Sequence, residues 1–432
     1  MFSCGVAEKK ITPDIGLPIP GYFGDRRNVG ISDDLYVRAF VFENCGRTVI
    51  LISVDILDFQ SSLSDEIRQR IQNEIGVPKE QIMVSATHIH TGGPTNYTGF
   101  ECPCDETYIR KLADCAVWAA RSAYGKRKAA KLTFAKGNGP AIGFNRNYVM
   151  TDGTVRTNPG IGNRDIVRPL SEIDRSLTLF CIEADCYLIG IGVNFACHPD
   201  TYGADEISAD YPGVLSRLLK DRYGSDVVVL FLNGCAGNIN HVDAIHGSIL
   251  YCRENMERMG AQLAIHTVDL MDRLSPVAET GVSGASEILS MRRRQPTSEE
   301  YRSAKQILKN AGADCETRIL AEEIIRLTEH PITDAAFEVQ VLRIGDLFVV
   351  GLPCEAYSSI GVSLKNQFPK DNIVISELAN GTVGYVVPKA EFFDTLYESK
   401  LTEYNSFLPA EAADKMITAA SELIARLKAE NV

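Results

Sequence analysis

Three times along this chain an apolar run that reads as a buried strand ends in a polar or glycine-rich stretch, and a helical pattern carries the chain to another such run. In the first instance Thr48-Val-Ile-Leu-Ile-Ser-Val-Asp55 is followed by Ile67, Ile71 and Ile75 at helical spacing before Gly76, and then by Ile82-Met-Val-Ser. Strand, helix, strand in that order is a parallel crossover. In the second, Tyr187–Cys197 ends at His198, a helix with Val214, Leu215, Leu218 and Leu219 follows, and Val227–Leu232 ends at Asn233-Gly-Cys-Ala-Gly. In the third, Leu347–Gly351 ends at Pro353-Cys-Glu355 before a short helical pattern, and Ile373-Val-Ile-Ser ends near Asn380-Gly381, with Tyr385 a few residues on. The pattern predicts an α/β fold: a large mixed, mostly parallel β-sheet core with flanking helices. Ligands of such sheets bind outside the carboxyl ends of the strands, so these ends should converge on one rim.

No repeat, low-complexity tract or Gly/Ser linker divides the 432 residues, and a single domain over 1–432 is expected. From about 285 to 330 a charged, helix-favouring stretch, opening with Arg292-Arg-Arg-Gln-Pro-Thr-Ser-Glu-Glu, interrupts the strand rhythm. It reads as a helical insertion, either covering the cleft or lying outside as a solvated helical pair. The net charge of −12 argues against nucleic acid or an anionic membrane surface as partner. The N-terminus has no apolar core after its basic residues, and no run approaches the ~18 apolar residues of a membrane span. The expectation is a cytoplasmic protein without stable membrane association, whose partner is a small-molecule substrate; the oligomeric state is not legible. Cys181, Cys186, Cys197, Cys235 and Cys354 lie in apolar strand-like runs and read as small hydrophobes. Cys102-Pro-Cys104 is a candidate metal pair, but no second pair follows at zinc-site spacing.

Two of the seven histidines stand together in SATHIHTGGP, residues 85–94, where a strand opens into a loop. On an extended strand residues i and i+2 share a face, so His88 and His90 can address one small volume. A lone His-x-His is more often structural than ligating. The metal reading gains from His198 and Glu355, which fall at other strand ends of the same rhythm and would supply a further imidazole and a carboxylate. His241 and His246 fall in a loop, and His266 and His330 on helical stretches, where solvated or core roles fit.

These segments resemble those of the neutral ceramidases, zinc amidases that cleave the N-acyl bond of ceramide. SATHIHTGGP is similar to their SGTHTHSGPGG, NFACHPDT and ISADYPG to FAVHPTS and ISGDNKG, LYVRAFVFE and LISVDI to LxARAFV and VSADI. GFNRN is similar to NRS, LPCEAYSSIG to PGEFTTMAG, and GYVVPKAEFFDTLYES to YVTTPEEYxxQxYEGAS, so the ordered likeness spans most of residues 6–400. The resemblance implies one Zn2+ per chain held by His88, His198, Glu355 and the phenolate of Tyr385. It also implies that His90, Arg146 and Tyr397 line the substrate pocket, where they would polarise an amide carbonyl and hold its oxyanion.

One departure bears on mechanism. Where the family carries a serine in GDxSPN, Gly237-Asn238-Ile239-Asn240-His241 puts Asn240, which cannot act as a hydroxyl nucleophile. Hydrolysis of an amide or related bond by metal-activated water survives this change, with His90, Arg146 or Asn240 as carbonyl donors and His90 the first candidate to protonate the leaving amine. No C-terminal immunoglobulin-like domain of the ceramidase kind is expected, which together with the absence of a signal segment favours a small soluble substrate over ceramide. Two alternatives stand beside this reading. An amidohydrolase-type enzyme would show a closed (β/α)8 barrel, and an inactive metal- or ligand-binding homologue would keep the metal and lose turnover. Iron and manganese also accept such donors.

Overall fold

The computed structural model describes residues 1–95, 102–247, 251–277 and 281–430. All three crossovers are present. The first is β1 (Arg47–Val54), α1 (Ser61–Ile75) and β2 (Ile82–Ala86), the second β3 (Tyr187–Phe195), α2 (Asp210–Tyr223) and β4 (Val228–Asn233). The third is β5 (Leu347–Gly351), α3 (Ser358–Gln367) and β6 (Asn372–Ser376). In each the two strands pair in parallel. Helix α1 stops where the sequence says it should: Gly76 adopts φ +75°, a left-handed conformation that glycine takes without steric cost, and its amide closes on the Gln72 carbonyl.

The crossovers form the ends of two sheets. In the nine-stranded sheet the order is β4, β3, Ser176–Ala184, Lys128–Asn138, Ser3–Lys10, Tyr36–Asn44, β1, β2, with Ser275–Pro276 beside Lys128–Asn138. In the four-stranded sheet it is Val282–Arg292, Asp334–Ile344, β5, β6. The core is large, mixed and flanked by helices as expected, but within these two sheets parallel pairing is confined to the edge units, and the strands between them are antiparallel. The sequence hides this because strands such as Tyr36–Asn44 and Ser176–Ala184 are mostly buried and turn tightly into the next strand, so they read like any apolar run. The Ser176–Ala184 hairpin shows it: Asp185 and Cys186 both take positive φ, 51° and 67°, in the two-residue turn that leads into β3. Cys186 is therefore exposed at a turn tip and not a core hydrophobe, whereas Cys181, Cys197, Cys235 and Cys354 are buried as expected.

The sheets pack face to face across a core that mixes Phe40, Leu51, Met83 and Leu230 of one with Leu342, Leu347, Val349 and Val374 of the other. Helices α1 and Glu106–Gly125 cover one half of the large sheet's outer face, and α2 with Arg253–Met271 the other half. Helices α3 and Glu411–Ala429 cover the small sheet. The result is a layered α/β/β/α arrangement of open sheets, so the closed-barrel alternative does not apply. Within the stretch expected as a helical insertion, residues up to Arg292 belong to a strand, and the helices are Ser298–Ile307 and Cys315–Glu329. The first carries a full capping box between Thr297 and Glu300. No helix among the described residues is long and apolar enough to cross a membrane.

Candidate metal centre

The carboxyl ends of the crossover strands meet where the two sheets face each other. Asn194 on β3 donates to the Leu232 carbonyl at 2.9 Å and, across the sheets, to the Ile375 carbonyl at 2.8 Å. Beyond these ends stand His88, His198 and Glu355, each placed by a different device. His88 lies two residues past β2 and takes φ +70°, in the left-handed region that a β-branched or bulky residue rarely occupies. The chain thus turns at His88 and does not run on as a strand. The rings of His88 and His90 come within 5.0 Å of each other through this turn, not through the extended alternation expected from the sequence. His198 follows β3, with its amide bonded to the Ile239 carbonyl at 3.2 Å. Glu355 opens a two-residue strand that pairs in parallel with Tyr385–Val386, in a register that sets Glu355 beside Tyr385.

Gly237 makes room for this meeting. A side-chain carbon there would stand 2.6 Å from the Glu355 carbonyl oxygen, so only glycine lets the loop after β4 lie against the Glu355 strand.

The donor atoms are pointed at one another. His88 Nδ1 lies 3.0 Å from the Leu57 carbonyl, and His198 Nδ1 lies 2.9 and 3.1 Å from the carbonyls of Ala236 and Ile239. A carbonyl can only accept, so each Nδ1 carries a proton and each Nε2 faces inward, as a lone pair at His198 and, at His88, as a nitrogen that Glu355 keeps protonated until a cation displaces the proton. Both Nε2 atoms stand 3.2 Å from Glu355 Oε2. None of the three has a hydrogen-bond partner among the described residues, and all are buried. One proton can bridge one of these pairs but not both. A cation beside the three serves all of them, and donors about 2.1 Å from a tetrahedral metal stand about 3.4 Å apart, close to the spacing here. The residues therefore fit a metal ion. Among the described residues, His88, His90 and His198 form the one histidine, cysteine and carboxylate group with metal-holding spacing.

The electrostatics carry the same tension. Burial alone would lower both histidines. Glu355 outweighs it at His88, which is held up at about 9, while burial and the Arg146 guanidinium take His198 down to about 4. Burial would raise Glu355, but the two imidazoles hold it well below the usual carboxylate range.

Around these atoms lies a narrow cleft of about 70 Å³, lined among others by Gly21, Tyr22, His88, His90, Tyr385 and Tyr397. His90 Nδ1 faces the Gly21 carbonyl at 3.2 Å, leaving its Nε2 buried and unpaired. Burial and the other two imidazoles keep this ring neutral. Arg146 bonds Glu398 through Nε at 2.5 Å, lies over the rings of Tyr385 and Tyr397, and has Nη2 buried without a partner. The rings of Tyr385 and Tyr397 are 5.8 Å apart, edge to face. The structure thus brings His88, His90, His198, Glu355, Tyr385, Arg146 and Tyr397 into one neighbourhood.

Asn240 is placed differently. Its amide donates to Asn158 at 3.0 Å and its carbonyl accepts from the Val242 amide at 3.0 Å, so both ends are engaged, and it does not line the cleft. Cys102 is buried, which raises its thiol to about 11, and Cys104 is half-buried; neither joins the histidine group. Sequence reasoning missed Tyr22, Asp200 and Glu377. Tyr22 packs edge to face on His90 and donates to Asp200, a carboxyl that burial lifts to about 7. Glu377 follows β6 directly and is fully buried, which lifts it to about 8. An acidic residue immediately after an apolar strand was its available signal.

Comparison with known proteins agrees with this arrangement of strands. No curated protein matches the sequence. The neutral ceramidase of Pseudomonas aeruginosa superposes with a TM-score of 0.77 at 19% identity, over 98% of this chain and 75% of its own. A ceramidase complexed with C2 gives 0.76 at 16% identity, over 99% and 75%. At such identities the likeness is one of fold. The family model of the N-terminal part of neutral/alkaline non-lysosomal ceramidases matches residues 2–228, a stretch that holds His88, His90, Arg146 and His198 and ends before Glu355, Tyr385 and Tyr397. That match covers more than half of the chain, which accordingly belongs to the neutral/alkaline non-lysosomal ceramidase family.

Proposed function

We propose that this chain is a zinc-dependent hydrolase, with one ion per chain, that cleaves an amide (N-acyl) or related bond in a small soluble substrate. The observation that carries this reading is the meeting of three buried atoms of metal-ligating type, His88 Nε2 and His198 Nε2 each 3.2 Å from Glu355 Oε2. Family membership supports the reaction class, and a cleft of about 70 Å³ favours a small substrate over a long-chain lipid. His88, His198 and Glu355 would hold the ion, and Tyr385, whose phenol burial holds well above its usual range against the lowering effect of the Arg146 guanidinium 5.3 Å from its ring, would add its oxygen with the cation displacing its proton. Imidazole, carboxylate and phenolate donors suit zinc. Bound there, zinc supplies Lewis acidity and lowers the pKa of a water molecule to about 7.

The other side chains do the rest. Arg146 Nη2, buried and without a hydrogen-bond partner, would donate to the oxyanion that develops on the carbonyl, with the Tyr397 ring 5.9 Å from the guanidinium. His90 is kept neutral by burial and its two imidazole neighbours. Its Nε2 would pass a proton to the leaving nitrogen readily, while a ring whose charged form is so disfavoured is only a weak base for collecting one. Asn240 acts by holding Asn158, whose amide bonds the Arg146 carbonyl at 2.7 Å, and so steadies the arginine segment.

The test is turnover of a panel of short N-acyl amides and esters before chelation, after it, and after return of zinc, iron(II) or manganese. Turnover that disappears on chelation and returns best with zinc supports the reading. Tight zinc without turnover on any substrate would overturn it in favour of an inactive metal-binding homologue, the second reading, which rests on the engaged amide of Asn240.

A further inference from the structure

Of the strand ends around the metal centre, that of β6 brings a carboxyl to which the proposed reaction gives no task. Glu377 is 0% exposed, a burial that disfavours a carboxyl group and lifts it to about 8. Its contacts explain why it is there. The Glu377 amide donates to the Asn233 carbonyl at 3.0 Å, at the last residue of β4. Its Oε2 accepts from the Ala236 amide at 3.0 Å, in the loop that β4 leads into. The Ala236 carbonyl in turn receives His198 Nδ1 at 2.9 Å. Its Oε1, on the side of Ala356, the residue next to Glu355, is buried without a hydrogen-bond partner among the described residues. The Gly237 amide closes the clamp on the Ala356 carbonyl at 2.8 Å.

We propose that Glu377 is a positioning residue for the metal centre: its carboxyl fixes the loop whose carbonyl orients His198, that loop holds the strand carrying Glu355 through the Gly237 amide, and Glu377 thereby sets the affinity for zinc. This rests on the reading of His88, His198 and Glu355 as the zinc ligands. A partner that orients a ligand from behind is worth about 10- to 100-fold in metal affinity. The contact runs through the backbone of a loop and a strand from different sheets, so its loss moves two ligands at once. A carboxyl that merely filled space would leave zinc affinity untouched when replaced by a residue of equal volume.

The experiment is zinc affinity by competition with a chromophoric chelator, on folded full-length wild type, Glu377→Met, Glu377→Ala and Gln340→Ala. Gln340 is the control for stability. It is fully buried, ties the sheets together through the carbonyls of Glu80 and Ile82 at the opposite end of β2 from the metal, and accepts from Asn380 in the chain that follows Glu377 without touching the carboxyl. Glu377→Met keeps the length without an acceptor for the Ala236 amide and carries the test if Glu377→Ala does not fold. The expected result is zinc binding about 10-fold or more weaker in each folded Glu377 variant, with Gln340→Ala lowering Tm and leaving zinc affinity within about twofold of wild type. Affinity within about twofold in Glu377→Met, where wild type binds one zinc, overturns the positioning role alone. A wild type that takes no zinc overturns this role together with the metal centre.

Discussion

Two cavities of this protein differ in size and in what lines them. The larger, about 490 Å³, opens between the Ser32–Arg38 segment and helix α2, with Asp33, Arg38, Arg217, Lys220 and Arg253 among its walls. Its charges are answered locally: Arg38 meets Asp55 at 2.7 Å, Arg217 meets Glu257 at 2.5 Å, and Asp33 accepts from the Ser208 hydroxyl and the Ala209 amide. The smaller, about 70 Å³, holds buried ring nitrogens and a carboxylate oxygen that answer one another only through something placed between them. Volume measures how loosely elements pack. Unsatisfied buried groups are costly, and their convergence is what marks a site.

The comparison is sharpest where a metal ligand is removed. His88→Ala or Glu355→Ala should abolish stoichiometric zinc and lower kcat/KM by about 10³-fold or more, since polarisation and water activation go together. Next comes the oxyanion side. Arg146→Ala should reduce kcat about 10²- to 10³-fold with zinc content unchanged, the loss expected for one donor to a developing oxyanion. The same assay on Arg146→Lys tests whether charge alone suffices.

Zinc affinity should itself depend on pH. Without metal, Glu355 holds His88 protonated up to about 9, and the ion must displace that proton. Affinity therefore rises with pH, by at least about tenfold per unit from pH 6, and flattens above about 9; a flat profile between pH 6 and 8 would show that no such proton is displaced. Gly237→Ala probes the close approach of loop and strand. With the Glu355 carbonyl 2.6 Å from the new carbon, a loss of about 1–3 kcal/mol is expected, read as a lower denaturation midpoint. The smallest effect lies at the larger cavity. Arg217 and Glu257 are about half exposed, so Arg217→Ala should cost less than about 1 kcal/mol and leave turnover within about twofold.

How far the sequence disclosed this arrangement follows from what each element needs. The three crossovers were legible because a buried parallel pair leaves a continuous apolar run, a helix and a second run, and because Gly76 punctuates the helix. Their antiparallel neighbours were not, since buried antiparallel strands lose the alternation that would distinguish them. His88, His198 and Glu355 were legible as polar residues at strand ends. Their convergence across two sheets was not, because β1–β2 and β5–β6 belong to separate sheets in a way no local pattern records. The left-handed turn at His88 has no signature in residue type, and Tyr385 came from resemblance alone. Its place beside Glu355 depends on the register of a strand only two residues long. Glu377 had a local signal, an acidic residue ending an apolar strand, but its partners are backbone amides, which the sequence does not distinguish.

The central claim is that the three converging atoms hold an ion, and metal content by plasma emission tests it most directly on wild type, His88→Ala and Glu355→Ala, each checked for folding. About one zinc per chain in wild type and none in either variant is the predicted result. Wild-type protein that carries no metal and takes up none when supplied would contradict it, leaving a shared proton among His88, His198 and Glu355 in place of a metal centre.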